Sequence, residues 1–312
     1  MPLVRLNISG STLAARGAAR KRLARAVDAL PDGAPVIVLI HGYKFSPRLD
    51  EHDPHTHILS LDPRSCWKAV SWPRQLGLGA GRGPEPLCVA LGWEARGSLW
   101  QAYTSAAAAG AGLAELINLV RIRRPDRPVH VLAHSLGARV ALTALPHLRP
   151  GAMGRVVLLA AAEMRSRAAS LLDTPAGRAL EVLNVTSREN DLFDYMLEWL
   201  VAPHRWGDRA LGQGLGQAHA PTPRWLDLPI DHDGTRGALA ALGLPIPPAD
   251  RRICHWSVYL RPGVFDIYRA VLADGMPFDR LRAVLPAKPA PRWSRLVQPP
   301  ALPLPFPRGE TS

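Results

Sequence analysis

The segment Val129-His130-Val131-Leu132-Ala133-His134-Ser135-Leu136-Gly137-Ala138-Arg139-Val140 constrains this chain more than any other stretch. A short β-branched run enters a serine, and a run of helix formers leaves it. At such a strand-to-helix corner the serine occupies the tip of a tight turn, where only small neighbours let the backbone bend. Ala133 and Gly137, two residues to either side, are small. The turn is expected to hold the Ser135 hydroxyl toward solvent, where it can serve as a nucleophile. The same residues can also make an ordinary helix N-cap, so the surrounding chain decides between the two.

Upstream, Pro35-Val36-Ile37-Val38-Leu39-Ile40 is a continuous apolar run of the kind found in strands buried on both faces, and it ends in His41-Gly42-Tyr43. Leu87 to Leu91, Arg155 to Ala161 and Leu180 to Thr186 read as further buried strands. Leu3 to Ile8 alternates and reads as an edge strand. Ser11 or Thr12 is positioned to cap a helix running to about Leu30, where Pro31-Asp32-Gly33 stops it. Helices are also expected over Leu99 to Arg121, from Ala138 to Leu145, and from about Val264 to Ala273. Strands separated by helix-length connections imply an α/β fold, a doubly wound and mostly parallel sheet with helices on both faces. Such sheets bind ligands at the carboxyl ends of their strands. Residues 1–285 read as one domain, with 204–250, rich in Gly, Pro and His, as a cap or excursion over the site. Residues 286–312 read as a Pro-rich tail.

The order strand-His41-Gly42, then strand-His134-Ser135-Leu136-Gly137, resembles the α/β-hydrolase superfamily of serine hydrolase type. Leu91-Gly92-Trp93-Glu94-Ala95-Arg96-Gly97, followed by Tyr103 and a long helix, resembles an uncharacterised bacterial subgroup of it. That resemblance implies the α/β-hydrolase fold, Ser135 as nucleophile, and an oxyanion hole built from the backbone N–H groups of Tyr43 and Leu136. It also implies the chain order serine, acid, histidine. The acid then belongs to Ser187-Arg188-Glu189-Asn190-Asp191, the loop beyond the strand that ends at Thr186. Asp191 is the expected acid, with Glu189 and Asp194 as competitors. Asp194 falls on a helix that Phe193, Met196, Leu197 and Leu200 would form. His255, near the end of the domain, is the expected base, ahead of His204, His219 and His232. His41 and His134 read as supports of the loop and the elbow.

These parts point to a serine hydrolase that cleaves a carboxylic ester or related acyl bond of a small-molecule substrate through an acyl-enzyme. Thioesterase and acyltransferase chemistry use the same triad. A catalytically silent binding protein on the same fold is the reading from another class. The net charge of +12 comes from arginines spread along the chain with no nucleic-acid-binding signature, so no nucleic-acid partner is expected. Arg16, Arg20, Lys21, Arg22 and Arg25 interrupt the N-terminal region, so it does not read as a secretory signal. No apolar run reaches the roughly 20 residues that span a bilayer, so no integral membrane association is expected. Cys66, Cys88 and Cys254 are odd in number and far apart, which fits a reducing cytoplasm. Nothing in the sequence fixes an oligomeric state.

His52, His55 and His57 are interleaved with carboxylates but lack the i, i+4 pairing of helical zinc sites, so they read as a solvated loop and no metal is expected. The alternating glycines over 77–83 follow no strand, and no cofactor is implied. Residues 44–86 and 204–250 are expected to enclose one pocket over Ser135, with Tyr43, Phe45, Trp67, Trp72, Trp206 and Trp225 as its apolar walls.

Overall fold

The computed structural model describes residues 3–81, 85–201, 207–215, 224–285 and 292–294. Eight strands form one sheet: β1 (Leu3–Ser9), β2 (Thr12–Leu13), β3 (Val36–Ile40), β4 (Leu87–Gly92), β5 (Val129–His134), β6 (Met153–Leu159), β7 (Glu181–Thr186) and β8 (Trp225–Pro229). The helices are α1 (Ala18–Asp28), α2 (Trp72–Gln75), α3 (Leu99–Arg123), α4 (Leu136–Thr143), α5 (Arg165–Leu172), α6 (Pro175–Ala179), α7 (Asp191–Val201), α8 (Asp233–Ala241), α9 (Ser257–Leu260), α10 (Val264–Leu272) and α11 (Phe278–Arg282). The spatial order is β2-β1-β4-β3-β5-β6-β7-β8, and every neighbouring pair is parallel except β1 with β2.

The continuous apolar runs are explained by this order. Every residue of β3, β4 and β5 is buried, because a parallel strand at the centre of the sheet is covered on both faces. Along β3 the side chains alternate. Val36, Val38 and Ile40 join the core beneath α1, α3 and α4, whereas Ile37 and Leu39 join the core beneath α2 and α10. The sheet therefore has helices on both faces, as its sequence pattern implies.

Helix α3 is long and apolar enough to cross a membrane by length and composition alone. Here its face of Ala102, Ala106, Ala109, Gly110, Leu113 and Ile117 is buried. A Cβ at Gly110 would lie 2.3 Å from Thr143 Oγ1, so the small residues let α3 press directly onto α4 behind the Ser135 turn.

Two expectations about the ends of the sheet are corrected. Residues 12–13 do not cap a helix; they turn back as β2, pairing Ile8 with Leu13 and Ser9 with Thr12, and α1 starts only at Ala18. Leu13 is buried in this hairpin, and its burial outweighs the capping potential of Ser11 and Thr12. β1 thus lies one strand in from the edge. Within the expected cap over 204–250, residues 204–206 and 216–223 lie outside the described residues, and Trp225–Pro229 belongs to the body, pairing in parallel with β7 ahead of α8. Asp227 interrupts the apolar pattern that would have revealed β8. Its carboxylate accepts from Asn184 Nδ2 at 2.8 Å and from Trp225 Nε1 at 2.9 Å. Of the Pro-rich tail, all but residues 292–294 lies outside the described residues.

Candidate active site

Ser135 follows the last residue of β5 and has φ 55° and ψ −124°, a conformation that L-residues rarely adopt. Its N–H donates to Leu159 O at 2.9 Å, and its carbonyl accepts from Ala138 N and Ala162 N, each at 3.0 Å. The bend is thus tied to the end of β6 as well as to its own helix. Close approach also explains two glycines. A Cβ at Gly42 would sit 2.7 Å from Ser135 Cβ, and one at Gly137 would sit 2.6 Å from His41 O. With the β3 loop drawn so tightly across the elbow, Ser135 is only 5% exposed, deeper than the solvent-facing tip expected from sequence.

His41 braces that loop. Its Nδ1–H donates to Gly42 O at 2.9 Å, and its Nε2 accepts the backbone N–H of Trp93 at 3.1 Å. Trp93 returns the contact through Nε1 to His41 O at 3.1 Å, and the two rings stack at 5.5 Å. Burial pushes the imidazole down to about 3, so it stays neutral and Nε2 remains an acceptor. Tyr43 donates its hydroxyl to Gly97 O at 2.7 Å, and Lys44 N–H donates to Ala95 O at 2.9 Å. The 41–45 loop is therefore fastened along the segment after β4. Leu136 is the first residue of α4, and a helix leaves its first N–H groups without intrahelical acceptors.

His255 lies in the loop before α9, beside the elbow. Its carbonyl accepts from His134 Nε2 at 3.2 Å, the two rings are 4.6 Å apart, and Phe193 stacks on its other side at 4.8 Å. Burial, reinforced by the neighbouring His134 and Lys68, holds the His255 imidazole well below its ordinary value. It is thereby kept neutral.

The group on its Nδ1 is Asn190 Oδ1, at 2.6 Å. This corrects the expectation for Asp191, whose carboxylate accepts from Gln213 Nε2 at 2.9 Å and from Trp293 N at 2.8 Å. The reason lies in the local backbone. A single 3-10 turn, Arg188–Asn190, capped by the Ser187 side chain, precedes α7. Asp191 opens that helix, and Asn190 closes the turn facing the histidine loop. Glu189, a competitor for the acid role, forms a buried ion pair with Arg261. Asp194, the other competitor, accepts from Asn190 Nδ2 at 2.9 Å. Asn190 carries no charge to mark it in the sequence, although an amide can orient a histidine as the asparagine of cysteine proteases does.

A second buried network stands behind the elbow. Arg139 on α4 pairs with Glu163 at 2.5 Å, and Tyr103 also donates to Glu163, which is fully buried. In the sequence Tyr103 stands out only through a resemblance; its role here is to hold α3, α4 and the loop after β6 together.

The expected pocket walls divide. Trp67 is exposed and packs edge-on against Trp256 at 5.3 Å, with Lys68 over the Trp256 ring. Phe45 packs on His41 and His57. Trp72 is fully buried and meets His134 and Tyr259 edge-on, so it anchors the 44–86 segment below the site. Trp225 is buried in β8, and Trp206 lies outside the described residues. His55 is bonded to Asn7 Oδ1 at 2.7 Å, and among the described residues no group of three or more His, Cys, Asp or Glu could hold a metal.

Residues 15–163 match a protein family described as alpha/beta hydrolase of unknown function (DUF900). The fold is the α/β-hydrolase fold. The matched region carries the His41–Tyr43 loop, Trp93, Tyr103, the Ser135 elbow and Glu163. Among solved structures the chain is similar to a cutinase from Trichoderma reesei in complex with a C11Y4 phosphonate inhibitor. The identity is 13%, over 82% of this chain and 87% of that chain, with a TM-score of 0.31. No curated protein matches the sequence.

Proposed function

We propose that this α/β-hydrolase is a serine hydrolase that cleaves a carboxylic ester or a related acyl bond through an acyl-enzyme on Ser135. The observation that carries the reading is the hydrogen bond from His255 Nδ1 to Asn190 Oδ1 beside the elbow. An amide oxygen accepts only from a protonated nitrogen, so Nδ1 carries the hydrogen and Nε2 keeps its lone pair. That is the tautomer a general base requires.

In this reading Ser135 Oγ attacks the acyl carbon while His255 Nε2 takes its proton. The N–H groups of Tyr43 and Leu136 receive the oxyanion, each contributing about 3 kcal/mol in sites of this type. The imidazolium then protonates the leaving group, and a water molecule, deprotonated by the same nitrogen, releases the acid and regenerates Ser135. Esters, thioesters and acyl acceptors other than water share these steps. Asn190 fixes the tautomer without setting a full negative charge against the imidazolium, so its contribution is orientation. Cys88 and Cys254 are buried and Cys66 exposed, all three unpaired, which supports a reducing compartment such as the cytoplasm.

The amide on His255 and the low exposure of Ser135 favour one other reading, a binding protein that keeps the fold without turnover. Labelling with a fluorophosphonate probe separates the two, because the probe reacts only with an activated serine. Wild-type protein is expected to label and Ser135→Ala to remain unlabelled. A wild type that takes up no probe would establish the silent reading.

A further inference from the structure

Behind Asn190 sits a carboxylate that the hydrolytic steps do not use. Asp194 lies one turn into α7, is almost fully buried, and accepts Asn190 Nδ2–H on Oδ1 at 2.9 Å. Its Oδ2 has no hydrogen-bond partner among the described residues. That oxygen is pressed against the backbone of Gly212, where an added Cβ would come within 2.0 Å of it. The three side chains thus form one line, from Asp194 through Asn190 to His255.

The direction of this line matters because an asparagine amide has two dissimilar ends. A neutral imidazole can meet Asn190 with Nδ1–H facing the oxygen or with a bare Nδ1 facing the NH2 group. Only the first leaves Nε2 as a base. Asp194 Oδ1 is an acceptor when the carboxyl is ionised or protonated on its other oxygen, and in that role it takes the NH2 end of Asn190. Turning the amide over would place its oxygen against a carboxyl oxygen and its NH2 group against the imidazole. In a buried site the two facing oxygens would then have no hydrogen between them, and the hydrogen bond between Asn190 and Asp194 would be lost.

We propose that Asp194 is a positioning residue of the hydrolytic site, setting the orientation of the Asn190 amide and, through it, the tautomer of His255. This rests on the serine hydrolase reading, and it makes the site a serine, histidine, asparagine line with a remote acid. The charged groups that face Asp194 are Asp191 and Glu198 on its own helix and Arg292 from the C-terminal segment. Arg292 is itself bonded to Glu198 at 2.8 Å and to Asp191 O at 3.2 Å.

The test exchanges the two side chains. Asp194→Asn gives position 194 an amide that can offer either end, so the orientation of Asn190 is no longer set. The loss expected in kcat is about 10- to 100-fold, typical of removing a group that orients a catalytic ligand, with KM unchanged. In the double variant Asn190→Asp with Asp194→Asn, the carboxylate meets His255 directly and the amide now at position 194 donates to it. That variant is expected to be at least about tenfold faster than Asp194→Asn.

Nitrogen-15 NMR of the His255 ring reads the tautomer without turnover. The Nδ1–H form is expected in wild type, a mixture in Asp194→Asn, and the Nδ1–H form again in the exchanged pair. An unchanged tautomer and kcat in Asp194→Asn overturn the proposal, as does an exchanged pair no faster than Asp194→Asn. Should Asp194→Asn fail to fold, Asp194→Ala, which removes the acceptor altogether, is expected to show the same mixed ring spectrum, and a pure Nδ1–H form in it overturns the proposal. Absence of probe labelling in wild type would sink the hydrolase reading, while the ring spectra would still judge the positioning.

Discussion

The carbonyl of Glu189 accepts the backbone N–H of Cys254 at 2.8 Å, and the residues that follow each of these two are Asn190 and His255. One main-chain bond therefore aligns the turn before α7 with the loop before α9, so that the next side chain on each strand of chain meets the other. The Glu189 side chain strengthens the same junction through its buried pair with Arg261, which also donates to Ile230 O at 2.8 Å. Breaking such a pair from one side leaves an uncompensated buried charge. Arg261→Met is expected to destabilise the fold by about 3 to 5 kcal/mol in urea titrations, and the double variant Glu189→Leu with Arg261→Met to recover much of that. A single variant as stable as wild type would show that the junction does not depend on the pair.

Asn190 and Asp191 are neighbours with opposite expected effects. Asn190→Ala removes the acceptor on His255 Nδ1 and is expected to lower kcat by up to about four orders of magnitude, the scale of losing the correct tautomer. Asp191→Asn keeps an acceptor for only one of Gln213 and Trp293, but neither of them touches the imidazole, so kcat is expected to change by no more than a few fold. Steady-state ester hydrolysis measures both. If Asp191→Asn proves the more damaging, the assignment returns to Asp191.

The sheet and the elbow were legible because β3, β5 and the Ser135 turn are dictated by local chemistry: apolar runs for buried strands, and small residues where the chain must bend. Tyr43, Ser135, Leu136 and His255 are site candidates through the resemblance to the α/β-hydrolases, and the structure brings the β3 loop, the elbow and the histidine loop together. The partner of His255 was missed by one residue. Which of Glu189, Asn190, Asp191 or Asp194 faces the imidazole depends on where the 3-10 turn ends and α7 begins, and a shift of one residue there rotates the side chain by about 100°. β8 was missed because Asp227 and Asn184 satisfy each other across two strands, a pairing with no local signature. The role of residues 292–294, which reach Asp191 and Glu198 from the tail, was invisible for the same reason.

Lys68 tests the electrostatics of the base. Its ammonium lies 4.0 Å over the ring of Trp256 and depresses His255, after burial and His134. With the cation removed, the imidazolium is less disfavoured and persists to higher pH. Lys68→Met is therefore expected to move the acid limb of the kcat/KM profile to higher pH, since that limb reports protonation of the base in the unliganded enzyme. A limb that stays in place, or moves to lower pH, would show that Lys68 does not act on His255.

Stability is expected to fall in mild acid because of buried imidazoles that the fold keeps neutral, His41, His130 and His134 among them. Burial pushes His41 down to about 3 and His130 and His134 down to about 4, from an ordinary 6.5. Two of them cannot gain a proton without losing a bond: His41 Nε2 accepts from Trp93 N, and His130 Nδ1 accepts from Arg155 N at 2.9 Å. Between about pH 6.5 and 4 the unfolded chain binds protons that the native state refuses, so stability is present in full above 6.5 and is lost as pH falls through that window. Asp194 works in the other direction. Burial raises it to about 8, so the native state holds a proton that the unfolded chain releases, and its contribution declines as pH rises from about 4 toward 8. The urea midpoint is expected to drop between pH 7 and pH 5, and Asp194→Asn to make that acid-side drop steeper while removing the loss on the alkaline side. A midpoint that is flat from pH 7 to pH 5 would mean that these rings take up protons in the native state with no penalty.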